Sequence, residues 1–273
     1  MGIRILFIDP VGTDIYDEHM AAILRPQASS NTELVVCNLQ GVPKTPFLPT
    51  PAAFYNQLFQ TIINAEKEGF DGVVIACCSD PGLKDAKTLV SIPVTAPFEA
   101  AARTAPALGR LSVIVPLIES GEGENLPSNA NWARDLAREY GVTEYITSVR
   151  AAPTDHPSTE ESMRLFAENP EALRQLVLDG MERAVHSTAM EQSRRAVSED
   201  EATVLFYGCT FWGGMLGPIA QAVPATILDP LITPLKYIEL LATTHKYYRR
   251  NAAEQMHQEL SHQAVMPAIA VAA

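Results

Sequence analysis

Short apolar and β-branched runs recur along the chain at residues 3–8, 34–39, 72–77, 112–116 and 203–208. Between them lie longer stretches, at 52–68, 130–139, 170–190 and 231–257, whose apolar positions return every three or four residues. Runs that are apolar almost throughout fit strands buried on both faces, and their alternation with amphipathic helices predicts parallel sheets with helices packed on them. The expected class is therefore α/β. Residues 120–128 carry Gly, Glu, Asn and Pro without a period, and residues 151–161 hold three carboxylates and two prolines, so both read as exposed loops. The Ala- and Val-rich stretch from Gln263 is too short to span a bilayer and reads as frayed or packed on a neighbour.

Composition narrows the class of partner. The 273 residues are 47% hydrophobic, enough for one large core or two modest ones. A net charge of −12 argues against a nucleic-acid backbone or an anionic membrane surface, both of which reward a basic patch. A small-molecule partner is expected, with no nucleic acid and no membrane. The first residues, MGIRILFID, lack the basic, apolar and small-residue order of a secretory leader and read as a first strand. The four cysteines, Cys37, Cys77, Cys78 and Cys209, show neither metal-binding spacing nor disulfide-rich density, so free thiols in a reducing cytoplasm are expected, and no metal.

Two of the cysteines sit in matching contexts. From Ile75, a buried run enters Cys77, and Asp80, Pro81 and Gly82 then force a turn before a helix. From Val204, a second apolar run leads through Gly208 to Cys209 and Thr210, with glycines permitting a turn into another helix. In parallel α/β sheets the carboxyl ends of strands are where ligands bind, and free amides at a following helix favour an anion such as a thiolate. Two halves that each deliver a cysteine in this way suggest pseudo-symmetric lobes facing one cleft. From position alone, each cysteine reads equally well as a small buried hydrophobe. That reading is adopted for Cys37, inside a strand, while Cys78 reads as a pocket-wall or packing residue pointing away from Cys77. His156 and His186 read as solvated positions on loops or helix faces.

The strand, Cys77 and the following Asp80-Pro81-Gly82-Leu83 resemble the hydantoin and allantoin racemases of the aspartate/glutamate racemase superfamily. Gly208-Cys209-Thr210 resembles the second cysteine motif of that superfamily, and Asp9-Pro10, Pro93 and Glu99-Ala100-Ala101 fit the same pattern. The resemblance implies two α/β lobes, expected at residues 1–100 plus 228–273 and at 101–227, with the active-site cleft between them. It implies a cofactor-independent racemase or epimerase in which Cys77 and Cys209 are the catalytic pair, and a homo-oligomer is expected. Asp9 matches a polar substrate-recognition position, although hydantoin racemases usually carry an Asn-Pro-Asn-Thr-like sequence where this chain has Asp9-Pro10-Val11-Gly12-Thr13. Glutamate racemases follow the second Cys-Thr with His, whereas this chain has Phe211 and Trp212, which moves the expected substrate away from a free amino acid.

Racemisation needs a base on one face of a carbon and an acid on the other, and two thiols can exchange these roles. A helix N-terminus and neighbouring donors are expected to lower a thiol pKa enough to hold some thiolate near neutrality. Ser79, Thr210 and the amides after each cysteine are candidate donors to an enolate oxygen. Phe211 and Trp212 are candidate walls of a substituent pocket, or one of them an ordinary core residue. Same-fold alternatives are a maleate-type isomerase and an arylmalonate-type decarboxylase. A cysteine phosphatase is disfavoured because the loop from Cys78 to Lys84 holds Asp80 and no Arg. A non-enzymatic two-lobed binding module is the remaining alternative.

Overall fold

The computed structural model describes residues 2–118 and 127–265. Among the described residues, eight strands form two four-stranded parallel sheets. The first contains β1 (Ile3–Asp9), β2 (Thr32–Asn38), β3 (Gly72–Ile75) and β4 (Val94–Thr95), in the order β2-β1-β3-β4. The second contains β5 (Leu111–Ile118), β6 (Ile146–Thr154), β7 (Val204–Tyr207) and β8 (Thr226–Leu228), in the equivalent order β6-β5-β7-β8. The strand order switches direction at β1 and β5, and at such a switch point the carboxyl ends of an open α/β sheet form a crevice where ligands bind.

Helices cover both sheets. In the first half these are α1 (Asp17–Leu24), α2 (Pro51–Lys67), α3 (Leu83–Leu89) and α4 (Pro97–Leu108). The second half carries α5 (Pro127–Glu139), α6 (Thr159–Glu168), α7 (Pro170–His186), α8 (Thr188–Asp200) and α9 (Gly217–Ala222). The long α10 (Ile232–Val265) then returns to pack on β1, β3 and α4. Helix α2 shows why such segments fold: Pro51 preorganises the first turn, and Phe54, Leu58, Ile62 and Ala65 fall on one buried stripe. Strands β3 and β7 are buried throughout and β1 is buried except at Arg4, as their apolar sequences require.

Two expectations change. Residues 151–154, read as loop, complete β6. This strand lies at a sheet edge, where a proline such as Pro153 is accommodated. The single helix expected over 170–190 divides at Ser187, whose backbone leaves the helical region while its hydroxyl bonds back to the Arg183 carbonyl at 2.7 Å. The loop expected at 120–128 lies mostly outside the described residues, with α5 beginning at Pro127, and of the stretch from Gln263 only 263–265 are described, within α10. Among the described residues, no helix is long and apolar enough to cross a membrane.

Candidate active site

Cys77 lies two residues past β3, and Cys209 two residues past β7, so the two thiols occupy equivalent places in the two halves. Each approach continues the sheet: the Ala76 amide donates to the Ile8 carbonyl at 2.8 Å, and the Gly208 amide to the Ile114 carbonyl at 2.7 Å. Gly208 is required by close packing, since a Cβ there would lie 2.9 Å from both Trp132 and Val115. Both cysteines are half-buried and line one cavity of about 380 Å³.

The loop that carries Cys77 is pinned at Asp80. Its backbone has φ of 47°, a left-handed conformation unusual for a side chain other than glycine. The buried carboxylate accepts from the Phe98 amide at 3.0 Å and the Glu99 amide at 2.7 Å, so it satisfies the first turn of α4. It also accepts from the Tyr140 hydroxyl at 2.7 Å. The family-like Asp80-Pro81-Gly82 turn therefore caps a distant helix.

The surroundings of the thiols differ from the expectation of a lowered pKa. Burial pushes Cys77 up, against the Ser79 hydroxyl, 3.3 Å from its Sγ, and the Ser79 amide. Asp80 and Asp9, when ionised, push in the same direction as burial. Burial likewise takes Cys209 up to about 12, against a hydrogen bond from the Phe211 amide. The amides that reach the sulfurs belong to the residues two positions on. Helix α3 begins only at Leu83, so its N-terminus does not provide them.

Of the other expected site residues, Asp9, Cys78, Ser79, Thr210 and Phe211 line the same cavity. Cys78 also turns its buried sulfur toward the Tyr207 carbonyl, 3.9 Å away, and packs with Phe98, Val113 and Phe206. Phe211 forms wall, stacked obliquely on Tyr16 with ring centroids 4.5 Å apart. Trp212 is separated from the cavity: it is 0% exposed, donates Nε1–H to the Met181 carbonyl at 3.1 Å and packs edge-on to Tyr207. Its place on the expected substrate wall is therefore corrected to a core position. In the short turn following Cys209, successive side chains diverge.

Several lining residues were not singled out by the sequence. Pro46, Phe47 and Leu48, between β2 and α2, meet the second half at the rim, where Phe47 and His156 rings lie 6.4 Å apart. Trp132, Leu173 and Val177 supply apolar wall from α5 and α7. His156, expected on a solvated loop, is half-buried at the cavity, and its Nδ1–H donates to the Pro157 carbonyl at 2.8 Å. The close approach of its loop to α7 depends on Gly180, where a Cβ would overlap the Asp155 carbonyl oxygen. His186 is exposed, as expected. Among the described residues, no three or more His, Cys, Asp or Glu side chains gather as a metal site.

A family model described as Asp/Glu/Hydantoin racemase matches residues 5–234, covering both sheets and both cysteine loops. The chain belongs to the Asp/Glu/hydantoin racemase family. A hydantoin racemase of Pseudomonas sp. (strain NS671) is 25% identical over 190 residues, 69% of this chain and 65% of that protein, just under two thirds of its length. A hydantoin racemase of Paenarthrobacter aurescens is 25% identical over 87% of this chain and 90% of its own. The fold of this family member is shared with an allantoin racemase from Klebsiella pneumoniae, at a TM-score of 0.66 and 23% identity over 89% of each chain.

Proposed function

We propose that this protein is a cofactor-independent racemase or epimerase of a hydantoin-type carbon acid, with Cys77 and Cys209 as its proton-transfer pair. The observation that carries this reading is the equivalent placement of the two thiols, each two residues beyond the corresponding strand, on one shared cavity. We read residues 1–100 with 228–273 as one lobe and 101–227 as the other. The packing of α10 on β1 and β3 supports placing residues 228–273 with the first lobe.

In the forward direction the Cys77 thiolate takes the proton from the substrate carbon, and the C–H electrons move into the adjacent carbonyl as an enolate. The Cys209 thiol then returns a proton to the opposite face and becomes the thiolate, so one proton enters as one leaves. Burial that raises a thiol pKa reduces the resting thiolate fraction, but it also makes the thiolate a stronger base toward carbon. We assign Ser79 and Thr210, which line the cavity, and the amides following each cysteine as donors to the enolate oxygen. A hydantoin-type ring suits the site because its reacting carbon adjoins a carbonyl that can hold the charge, whereas a free carboxylate resists enolisation.

The test is proton exchange in deuterium oxide, followed by NMR on each enantiomer of substituted hydantoins and allantoin. Cys77→Ser and Cys209→Ser are each expected to abolish racemisation while exchanging solvent deuterium into one enantiomer only. Full racemisation by either variant overturns the two-thiol assignment. A maleate-type isomerase or a decarboxylase requires one cysteine, and a covalent substrate adduct detected by mass spectrometry would identify the isomerase instead.

A further inference from the structure

Asp229 directly follows β8 and does not line the cavity, yet its carboxylate reaches the turn that carries Cys209. Its Oδ2 accepts from the Gly214 amide at 2.7 Å, and its Oδ1 accepts from the Leu231 and Ile232 amides at 2.8 and 2.9 Å. The Asp229 carbonyl accepts from the Thr233 amide at 3.0 Å. One carboxylate oxygen thus caps the start of α10 while the other holds the cysteine turn.

Between Cys209 and Gly214 the turn is bonded to itself. The Trp212 amide donates to the Cys209 carbonyl at 3.1 Å, and the Gly213 amide to the Thr210 carbonyl at 2.9 Å. The Phe211 amide that donates to the Cys209 sulfur lies inside this unit. Gly213 lets the unit lie directly on the approach to α10, since a Cβ there would come within 2.5 Å of the Leu231 side chain. Gly214, at φ of 73°, is where the unit meets Asp229.

The first half builds the same junction from the other side. There Asp80 belongs to the cysteine loop, and its carboxylate reaches the Phe98 and Glu99 amides at the start of α4, the helix after β4. In the second half the carboxylate belongs to the helix start after β8 and reaches back to the cysteine turn. Each thiol is therefore tied by one carboxylate to the helix that follows the neighbouring strand, β4 beside β3 and β8 beside β7.

We propose that Asp229 is a positioning residue for Cys209, acting through the Gly214 amide to hold the turn that presents this thiol to the cavity, and that it leaves Cys77 untouched. A hydrogen bond to an ionised carboxylate is stronger than one between neutral groups, which suits a single tie between turn and helix. The two duties of the side chain are separable. Asparagine caps a helix about as well as aspartate, but with its carbonyl on the Leu231 and Ile232 amides it turns an NH2 group toward the Gly214 N–H, donor against donor. Asp229→Asn keeps the cap and releases the turn. Asp229→Ser also keeps a capping oxygen and has no second oxygen for Gly214.

The effect on turnover rests on the racemase reading, whereas thiol reactivity is read without substrate. Cys77 and Cys209 are alkylated with iodoacetamide in one sample and quantified by peptide mass spectrometry, for the unaltered protein and both variants. Burial is the largest cause that holds the Cys209 thiol up. Loosening its turn is therefore expected to raise the Cys209-to-Cys77 rate ratio about threefold or more, with Cys77 itself unchanged. In deuterium oxide, loss of the C5 hydrogen with retained configuration is then followed on each enantiomer of a substituted hydantoin. The enantiomer whose proton goes to Cys209 is expected to exchange about fivefold more slowly in Asp229→Asn, the equivalent of one lost hydrogen bond, and the other at the unaltered rate.

A smaller rise in the rate ratio overturns the proposal. So does acceleration of both thiols together, because a general loss of packing would move both, or equal slowing of exchange in the two enantiomers. If the unaltered protein exchanges no hydantoin proton, the racemase reading fails and the alkylation ratio alone decides the role of Asp229.

Discussion

Tyr140, just beyond the end of α5, donates its hydroxyl to Asp80, 2.7 Å away on the loop that carries Cys77. This bond ties a helix that packs on the second sheet to the cysteine loop of the first. Tyr140→Phe removes one of three donors to the Asp80 carboxylate and is expected to cost about 1–2 kcal/mol of stability. If the bond positions Cys77, the variant lowers kcat more than it raises KM, and thermal denaturation with steady-state kinetics measures both. Asp80→Ala is more severe, about 3 kcal/mol or more, because it leaves the Phe98 and Glu99 amides buried and unpaired.

Raised thiol pKa values predict slow alkylation in the free protein. The rate of iodoacetamide reaction at Cys77 and Cys209, located by peptide mass spectrometry, should lie well below that of a free thiol at neutral pH and climb through the alkaline range. A rate that levels off at or below neutral pH would show a resting thiolate and contradict the effect of burial described here.

Asp9 links pH to stability. Its folded-state pKa is raised, so the native protein holds a proton that the unfolded chain releases. The stability associated with this group is full below the unfolded carboxylate pKa, about 4, and is lost as pH rises toward the folded value. Asp9→Asn should therefore change the melting temperature little in acid and raise it at neutral pH, by the equivalent of about 1 kcal/mol. An unchanged or lowered melting temperature at neutral pH would mean that the carboxylate is tolerated there.

The two aromatic residues after Cys209 should separate cleanly on mutation. Trp212→Ala opens a fully buried site and is expected to cost about 3–5 kcal/mol, with the loss read in denaturant melts. Phe211→Leu keeps much of the apolar volume, so it should alter the ranking of ring substituents by KM while shifting stability less.

Gly180→Ala tests how His156 reaches the cavity. The added methyl would collide with the Asp155 carbonyl and push the loop away from α7. The expected result is a raised KM with the cysteine chemistry still detectable by single-turnover exchange. An unaltered KM would assign the close contact a purely structural role.

The alternation of apolar runs and amphipathic segments was sufficient to read the α/β class, because central parallel strands need apolar side chains on both faces. It was insufficient for β6, an edge strand whose half-buried positions and Pro153 weaken the same signal. The local grammar around Cys77 and Cys209 was legible for a related reason: a buried strand followed by a turn puts the next side chain at a sheet's carboxyl edge whatever surrounds it. That grammar says nothing about what lies opposite. Only the tertiary structure brought His156 and Phe47 to the rim, turned Phe211 into the wall while burying its neighbour Trp212, and left a carboxyl oxygen of Asp9 without a partner. It also reversed the expected direction of the thiol pKa shifts, because desolvation depends on every element packed around a sulfur, whereas the amides that favour a thiolate come from the adjoining turn.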